Sequence, residues 1–448
     1  MSSPTQGLAE FGTKLTFKDI PGAVVEKATD AILDTVGVCI FGSTLPWSRI
    51  VIDYANLYGG GGVSTIIGTG HRVSAPLAAL ANGALAHGFE MDNLRQPSAG
   101  VHAGSTIVPG LLAIGEEIGA SGRDVVSAFV AASEVMSRIG DAANNTAEKL
   151  GFHSPGLTGT FGSAVAAGRL LGLTPQQMTN AFGIAASLCS GLLAFSKAGN
   201  GGMVKRLHTG RASEGGVLAA RLAAGGFTGP DVVLEGKFGF FEAFSREPRF
   251  EKLMAGLGTD WETSKIAVKC YPIHVTAHTP VQALEDLRGE HGFLADDVAE
   301  IHIATSEKVL SHHNITDPAD IATAQYSLPF CIATSVYRDP KNPASFLDNP
   351  HEDPKIKALA QRVHLTLNPG SLPPGPAWAT RLKIVLANGT ELTTERNDFR
   401  GAPSNPMSPA ELDQKFLSLS TGVIPDAPQL LKRLRNLTGM DNVATLLS

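Results

Sequence analysis

Up to about residue 265 the apolar positions recur at three- and four-residue intervals, the stripe of packed helices. Segment 23–41, AVVEKATDAILDTVGVCIF, carries that spacing, and 75–87, 105–119, 124–139, 161–171 and 176–193 repeat it with much Ala and Gly. Small side chains let helix axes approach closely, so this part predicts a compact helical bundle. Thr174-Pro175-Gln176-Gln177 places a cap, a first-turn proline and a reaching Gln in the order of a helix start. Ser121 followed by Asp124 repeats that logic.

After about residue 270 the period changes. EIHIATS (300–306) and RVHLTLN (362–368) alternate apolar and polar residues, as half-buried strands do. RLKIVLANGTELTTE (381–395) holds Asn388-Gly389 between two alternating runs, a strong hairpin signal. Segments 276–289 and 318–337 read as helices, and Ser408-Pro409-Ala410-Glu411 starts another. The prediction is a mainly α protein with an α+β second domain. A large all-helical domain of residues 1–267 and 406–448 is expected, with 268–405 inserted as a smaller lid domain built on a small antiparallel sheet.

Composition narrows the function. With 36 Lys+Arg against 42 Asp+Glu, the chain of 448 residues carries a net charge of −6, so no nucleic-acid partner is expected. Charged residues make up 17%, too few for disorder and in keeping with buried helix contacts, including a subunit interface. No apolar run approaches the roughly 18 to 20 residues that span a bilayer, so no membrane is expected. MSSPTQGLAEFGTKLTF lacks a basic segment followed by an apolar run, and the four dispersed cysteines show no CxxC spacing. The expectation is a cytoplasmic enzyme with reduced thiols.

Four segments offer chemistry. In AHGFEMDN (86–93) and GVHAGSTIVPG (100–110), Asp92 and His102 flank an irregular stretch containing Arg95, Pro97 and Ser98. A carboxylate near an imidazole sets its tautomer and raises its basicity; the plainer alternative is a helix cap and an ordinary histidine. In LGFHSPGLTGTFG, His153 precedes a Gly/Pro turn into a helix whose N-terminus suits a carboxylate. KAGNGGMVKRLHTGRAS (197–213) reads as a glycine-rich loop with four cations, Lys197, Lys205, Arg206 and Arg211, suited to an anionic substrate or else a solvated basic face. It lacks the spacing of a phosphate-binding P-loop, and no GxGxxG follows a strand. KCYPIHVTAH (269–278), at the junction of the two domains, brings Lys269, His274 and His278. The 13 histidines include no HExxH or HxH, so no metal is expected, and no GxSxG serine elbow is present. What remains is histidine, lysine and aspartate around an anion site, suited to cofactor-free proton transfer beside a carboxylate.

Together, AHGFEMDN, GVHAGSTIVP, GFHSPGLTGTFG, MVKRLHTGRAS, GFTGP, KCYPIH and AQYSLPF resemble, in this order and over nearly the whole chain, the MmgE/PrpD family. The resemblance implies a helical domain formed from both chain ends, an α+β lid, a homodimer, no cofactor and a polycarboxylate substrate. Carried over by position, it implies catalytic roles for Asp92, His102, His153, Lys205 and His274, and substrate binding by Arg206, His208, Lys269 and Tyr326. Family activities include 2-methylcitrate dehydration, cis-aconitate decarboxylation and iminodisuccinate epimerisation. Many dehydratase members have a second acid where this chain has Asn93, which disfavours dehydration. The length and text look most like the iminodisuccinate epimerases. The resemblance therefore implies two-base inversion beside a carboxylate, with Lys205 and His102 or His274 as the pair; the alternative is a lyase of the dehydratase or decarboxylase type.

Overall fold

The structure is a computed structural model that describes residues 3–97, 100–196, 202–369 and 378–447. It is mostly helical. The predicted helices are found at Gly22–Gly42, Ala75–Ala86, Ala103–Ile118, Gly122–Ala142, Ser154–Leu170 and Pro175–Leu188. Their start signals form as read: the Thr174 hydroxyl and the Gln177 side chain close a reciprocal capping box, and Ser121 Oγ accepts from the Asp124 amide. Among the described residues no single helix is long and apolar enough to cross a membrane.

Two expectations for this half need correction. It is not wholly helical, because β1 (Ser64–Thr65) pairs with β2 (Arg72–Val73), and β3 (Leu94–Arg95) pairs with β4 (Ile266–Ala267), all antiparallel. The second pair ties the segment after Asp92 to the segment before Lys269. The supposed basic loop is also largely helix: Val204–Ala224 is one continuous element, which sequence reading missed because its Gly and charged residues mask the apolar face. Lys197 lies outside the described residues.

The Val204–Ala224 helix packs chiefly against Ser154–Leu170 and Ala75–Ala86. Glycine makes the second crossing possible. A Cβ on Gly210 would lie 2.3 Å from the Leu80 carbonyl oxygen, and one on Gly83 would lie 2.6 Å from Gly210 Cα. Backbone cannot yield as a side-chain tip does. Gly210→Ala is therefore expected to cost about 2 kcal/mol, the usual scale of overpacking, with activity falling because Lys205 and His208 ride on this helix. A chemical melt unchanged from wild type would contradict the close-packing account.

The later strands form one sheet in the order β6 (Val363–Leu367), β5 (Val298–Thr305), β7 (Thr380–Leu386), β8 (Glu391–Arg396). Its Asn388-Gly389 hairpin is present, with Gly389 at a φ of 85°. The sheet is mixed where an antiparallel one was expected, since β5 and β6 run parallel. The reason is connectivity. A helical crossover, not a tight turn, joins β5 to β6, and crossovers deliver parallel strands. Segment 318–337 forms two helices, Ile321–Tyr326 and Leu328–Tyr337, divided at Ser327, whose hydroxyl caps the second.

Among the described residues two large apolar cores form, with a small third cluster of Leu94, Ala267, Val275, Phe399 and Ala402. One joins residues between Leu8 and Val268 with Leu412, Phe416, Leu430, Leu434 and Val443 from the C-terminal helices. The other centres on Tyr271, Leu284, Ile301, Phe330 and Ile384, and it takes in Phe89 and Met91 from the loop after Ala75–Ala86. That loop therefore leaves the first core at Ala86, enters the second at Phe89 and Met91, and rejoins the first at Val101, and the candidate residues gather around it.

Candidate active site

Asp92 is fully buried, and its Oδ2 accepts three hydrogen bonds: from His87 Nδ1 at 3.0 Å, His102 Nδ1 at 2.7 Å and Ser105 Oγ at 2.8 Å. Local folding sets this up. His87 ends the Ala75–Ala86 helix, and His102 immediately precedes the Ala103–Ile118 helix, whose first turn carries Ser105. The neighbouring Asn93 closes that helix start, with Oδ1 accepting from Gly104 N at 3.0 Å. Asn93 Nδ2 donates to Ala31 O, Asp34 Oδ2 and Thr35 Oγ1 on the Gly22–Gly42 helix. The cap predicted as an alternative for Asp92 is thus the work of Asn93, a structural amide facing away from the imidazoles.

The paired imidazoles and their bonds hold the Asp92 carboxyl well below the usual carboxylate range, against the opposing effect of burial. An ionised carboxylate only accepts, so both imidazoles must present Nδ1–H to it, which leaves Nε2 of each as the atom free for proton exchange. Burial pushes His87 down to about 3, so it stays neutral. The His102 side chain keeps 15% exposure while Asp92 keeps none, making His102 the open end of the pair. His87, Asp92 and His102 also have donor atoms within 4.8 Å of one another, close enough for a metal ion. An ion there would have to displace both Nδ1 hydrogens.

A chain of rings leads away from Asp92. His87 and His153 have centroids 5.8 Å apart, and His153 Nδ1 lies 3.0 Å from His208 Nδ1. Phe195 packs against both His153 and His208 and reaches Tyr326. Tyr326 lies under Lys205, whose Nζ is 5.0 Å from the ring centroid, and against His274, at 4.5 Å between centroids. His274 in turn stacks on His313 at 4.4 Å. Glu90, two residues before Asp92, bonds both Lys205 and Lys269. Burial lowers the Lys205 ammonium strongly, aided by repulsion from Lys269 and Arg206, and lowers Lys269 to about 8.

The expected residues Asp92, His102, His153, Lys205, His274, His208, Lys269 and Tyr326 are therefore brought together. Arg206 is beside them but otherwise engaged: Nε donates to Gly88 O at 2.9 Å and the guanidinium lies 4.1 Å over the Trp47 ring. Arg211 points outward to Glu214, so the four-cation cluster reduces, among described residues, to one cation directed at the site. His278 is fully buried against Tyr271 and Phe399, with Nε2 on Ile273 O, a packing position. Sequence reading missed His87, Glu90, Ser105 and His313. The first two stand in the AHGFEMDN stretch that singled out Asp92, so spacing within that stretch was the available signal.

Residues 6–253 match the MmgE/PrpD N-terminal domain, and residues 271–437 match the MmgE/PrpD C-terminal domain. The chain belongs to the MmgE/PrpD family. Its relatives include the cis-aconitate decarboxylase of Aspergillus terreus, 28% identical over 99% of this chain and 94% of that protein. Human cis-aconitate decarboxylase is 26% identical over 100% of this chain and 94% of its own. The cis-aconitate decarboxylase-like protein oryM of Aspergillus oryzae is 31% identical over 69% of this chain and 67% of its own. Relatives named for decarboxylation shift the balance from the epimerase expectation to the lyase alternative.

The buried imidazoles make acid stability a test of this geometry. His87, His153, His274 and His278 are all held below their ordinary value, chiefly by burial. A depressed histidine binds its proton more readily unfolded than folded, so stability is lost as pH falls from about 6.5 toward the folded values. Each contributes a slope of up to about 1.4 kcal/mol per pH unit. The melting temperature is expected to drop steeply between pH 7 and pH 5; a flat profile across that window would show these imidazoles to be solvated.

Proposed function

We propose that this chain is a lyase that decarboxylates a cis-aconitate-type tricarboxylate through side-chain proton transfer. What carries the reading is the buried Asp92–His102 pair set beside Lys205 and Lys269, in a family member whose full-length relatives are decarboxylases. Loss of carbon dioxide from the methylene carboxylate breaks one carbon–carbon bond. The released electron pair forms a new double bond, and the old double bond's pair moves to the carbon beside a remaining carboxylate. That carbon then takes one proton.

Two demands follow, and the site has groups for both. The ammoniums of Lys205 and Lys269 stabilise the enolate-like charge on the retained carboxylate. His102, as imidazolium against the Asp92 carboxylate, delivers the proton from Nε2 and is reprotonated from solvent at its exposed edge. His274, whose Nδ1 accepts from the Thr276 amide, donates from Nε2 to another carboxylate, and so does whichever of His153 and His208 accepts in their shared Nδ1–Nδ1 bond, all three being neutral by burial. Segment 268–405 acts as the lid over this site, and the working form is a homodimer, to be checked by sedimentation equilibrium.

The deciding experiment incubates the protein with cis-aconitate in deuterated water and follows products by NMR. Carbon dioxide release is expected, with one solvent deuterium in the five-carbon product. Inversion of iminodisuccinate, or water loss from 2-methylcitrate, with cis-aconitate untouched would overturn the proposal.

A further inference from the structure

Glu90 holds a backbone φ of 52°, a left-handed conformation that costs a non-glycine residue on the order of 1 kcal/mol. Its neighbours Phe89 and Met91 are anchored in the second core. The left-handed residue between them sends its carboxylate between two lysines from separate segments. One oxygen takes Lys205 Nζ, from the Val204–Ala224 helix; the other accepts from Lys269 Nζ at 2.8 Å, just after β4. Side-chain exposure is 7% for Glu90, 9% for Lys205 and 1% for Lys269. Two ammoniums cannot share so dry a place without a counter-charge. Lys269 has a second carboxylate, Asp92 Oδ1, at 4.0 Å, whereas among the described residues Glu90 is the carboxylate paired with Lys205.

We propose that Glu90 is a positioning residue: its carboxylate holds Lys205 and Lys269 as a fixed, charged pair that receives one substrate carboxylate. Each ammonium has three hydrogens, and Glu90 engages one on each, so both retain donors for an incoming anion. The receiving half of this inference rests on the tricarboxylate reading above, while the pairing of the lysines does not. The other charged or titratable groups near the pair are Arg206 on the helix of Lys205, Tyr326 beneath it, His87 and His208 toward Lys205, Asp34, Asp92 and His278 toward Lys269, and His274 toward both.

The test compares wild type, Glu90→Gln and Glu90→Asp by NMR titration of lysines labelled at Cε, the Lys205 signal being assigned by its loss in Lys205→Met. In Glu90→Gln the Lys205 titration is expected to move down by about one pH unit or more, because its counter-charge is gone. Lys269, still near Asp92, moves less. KM for cis-aconitate should rise by about tenfold or more, a loss of roughly 1.4 kcal/mol in binding. Glu90→Asp keeps the charge but is one methylene too short to bridge, so its titration stays near wild type while kcat falls about tenfold. An unmoved Lys205 titration in Glu90→Gln overturns the proposal. Should that variant not fold, Glu90→Asp decides: wild-type kcat and KM overturn it, and a folded protein with reduced kcat sustains it. A shifted lysine in a protein inert toward cis-aconitate would sustain the pairing and refute the tricarboxylate reading separately.

Discussion

Replacing Asp92 by asparagine is expected to lower kcat for decarboxylation by about a thousandfold, within the range set by general acid–base groups. Asparagine keeps the shape, so the fold should survive and far-ultraviolet circular dichroism should be unchanged. What changes is polarity. Oδ2 now accepts from two imidazoles and a hydroxyl. An amide oxygen in the Oδ2 place still accepts those bonds, but without the charge that strengthens them, and its NH2 then takes the Oδ1 place, 4.0 Å from Lys269 Nζ. His102 also loses the buried carboxylate that orients its ring through Nδ1 and balances the charge it carries while handing over a proton. KM should change much less than kcat, since Lys205 and Lys269 still meet the substrate. A kcat within tenfold of wild type would remove the Asp92–His102 pair from the chemistry.

Much of this site was legible because family text marks residues one at a time. Asp92, His102, His153, Lys205 and His274 stand in quoted motifs, and they do gather around one loop. Relations between residues were not legible. Nothing in a sequence says that Glu90 turns left-handed and bridges lysines that lie 115 and 179 positions away. Arg206 looks as suitable for a carboxylate as Lys205, its neighbour; only a helix at 204–224 shows that successive residues leave the axis about 100° apart, one toward the site and the other onto Trp47. Capping motifs and the Asn-Gly hairpin were read correctly because their physics is local. The parallel β5–β6 pairing was not, because it is decided by a crossover between distant segments.

Glu134 shows the same gap with a large stability effect attached. An acid and a base four positions apart on a helix, the spacing of Glu134 and Arg138, contribute a few tenths of a kcal/mol when they are solvated. In the structure Glu134 is fully buried and Arg138 is 2% exposed. Glu134 accepts from Arg138 Nη1 at 2.7 Å, from the amides of Glu262 and Thr263 at 3.0 and 2.8 Å, and from Thr263 Oγ1 at 2.7 Å. Glu134→Ala strands a buried guanidinium and two backbone donors together. Removing one partner of a buried pair costs about 3 to 5 kcal/mol, and the bonds from Arg138 to Gly256 O and Asp260 O place this case toward the lower end. Against a total stability of roughly 5 to 15 kcal/mol, urea unfolding should show a large fall in midpoint. The double variant Glu134→Leu with Arg138→Leu removes both charges and should recover part of that loss. A single variant that costs under about 1 kcal/mol would mean the pair is solvated after all. The consequence reaches the site, because the Glu262 turn held by Glu134 leads directly into β4 and Lys269. Loosening it frees one of the two ammoniums that Glu90 holds in place.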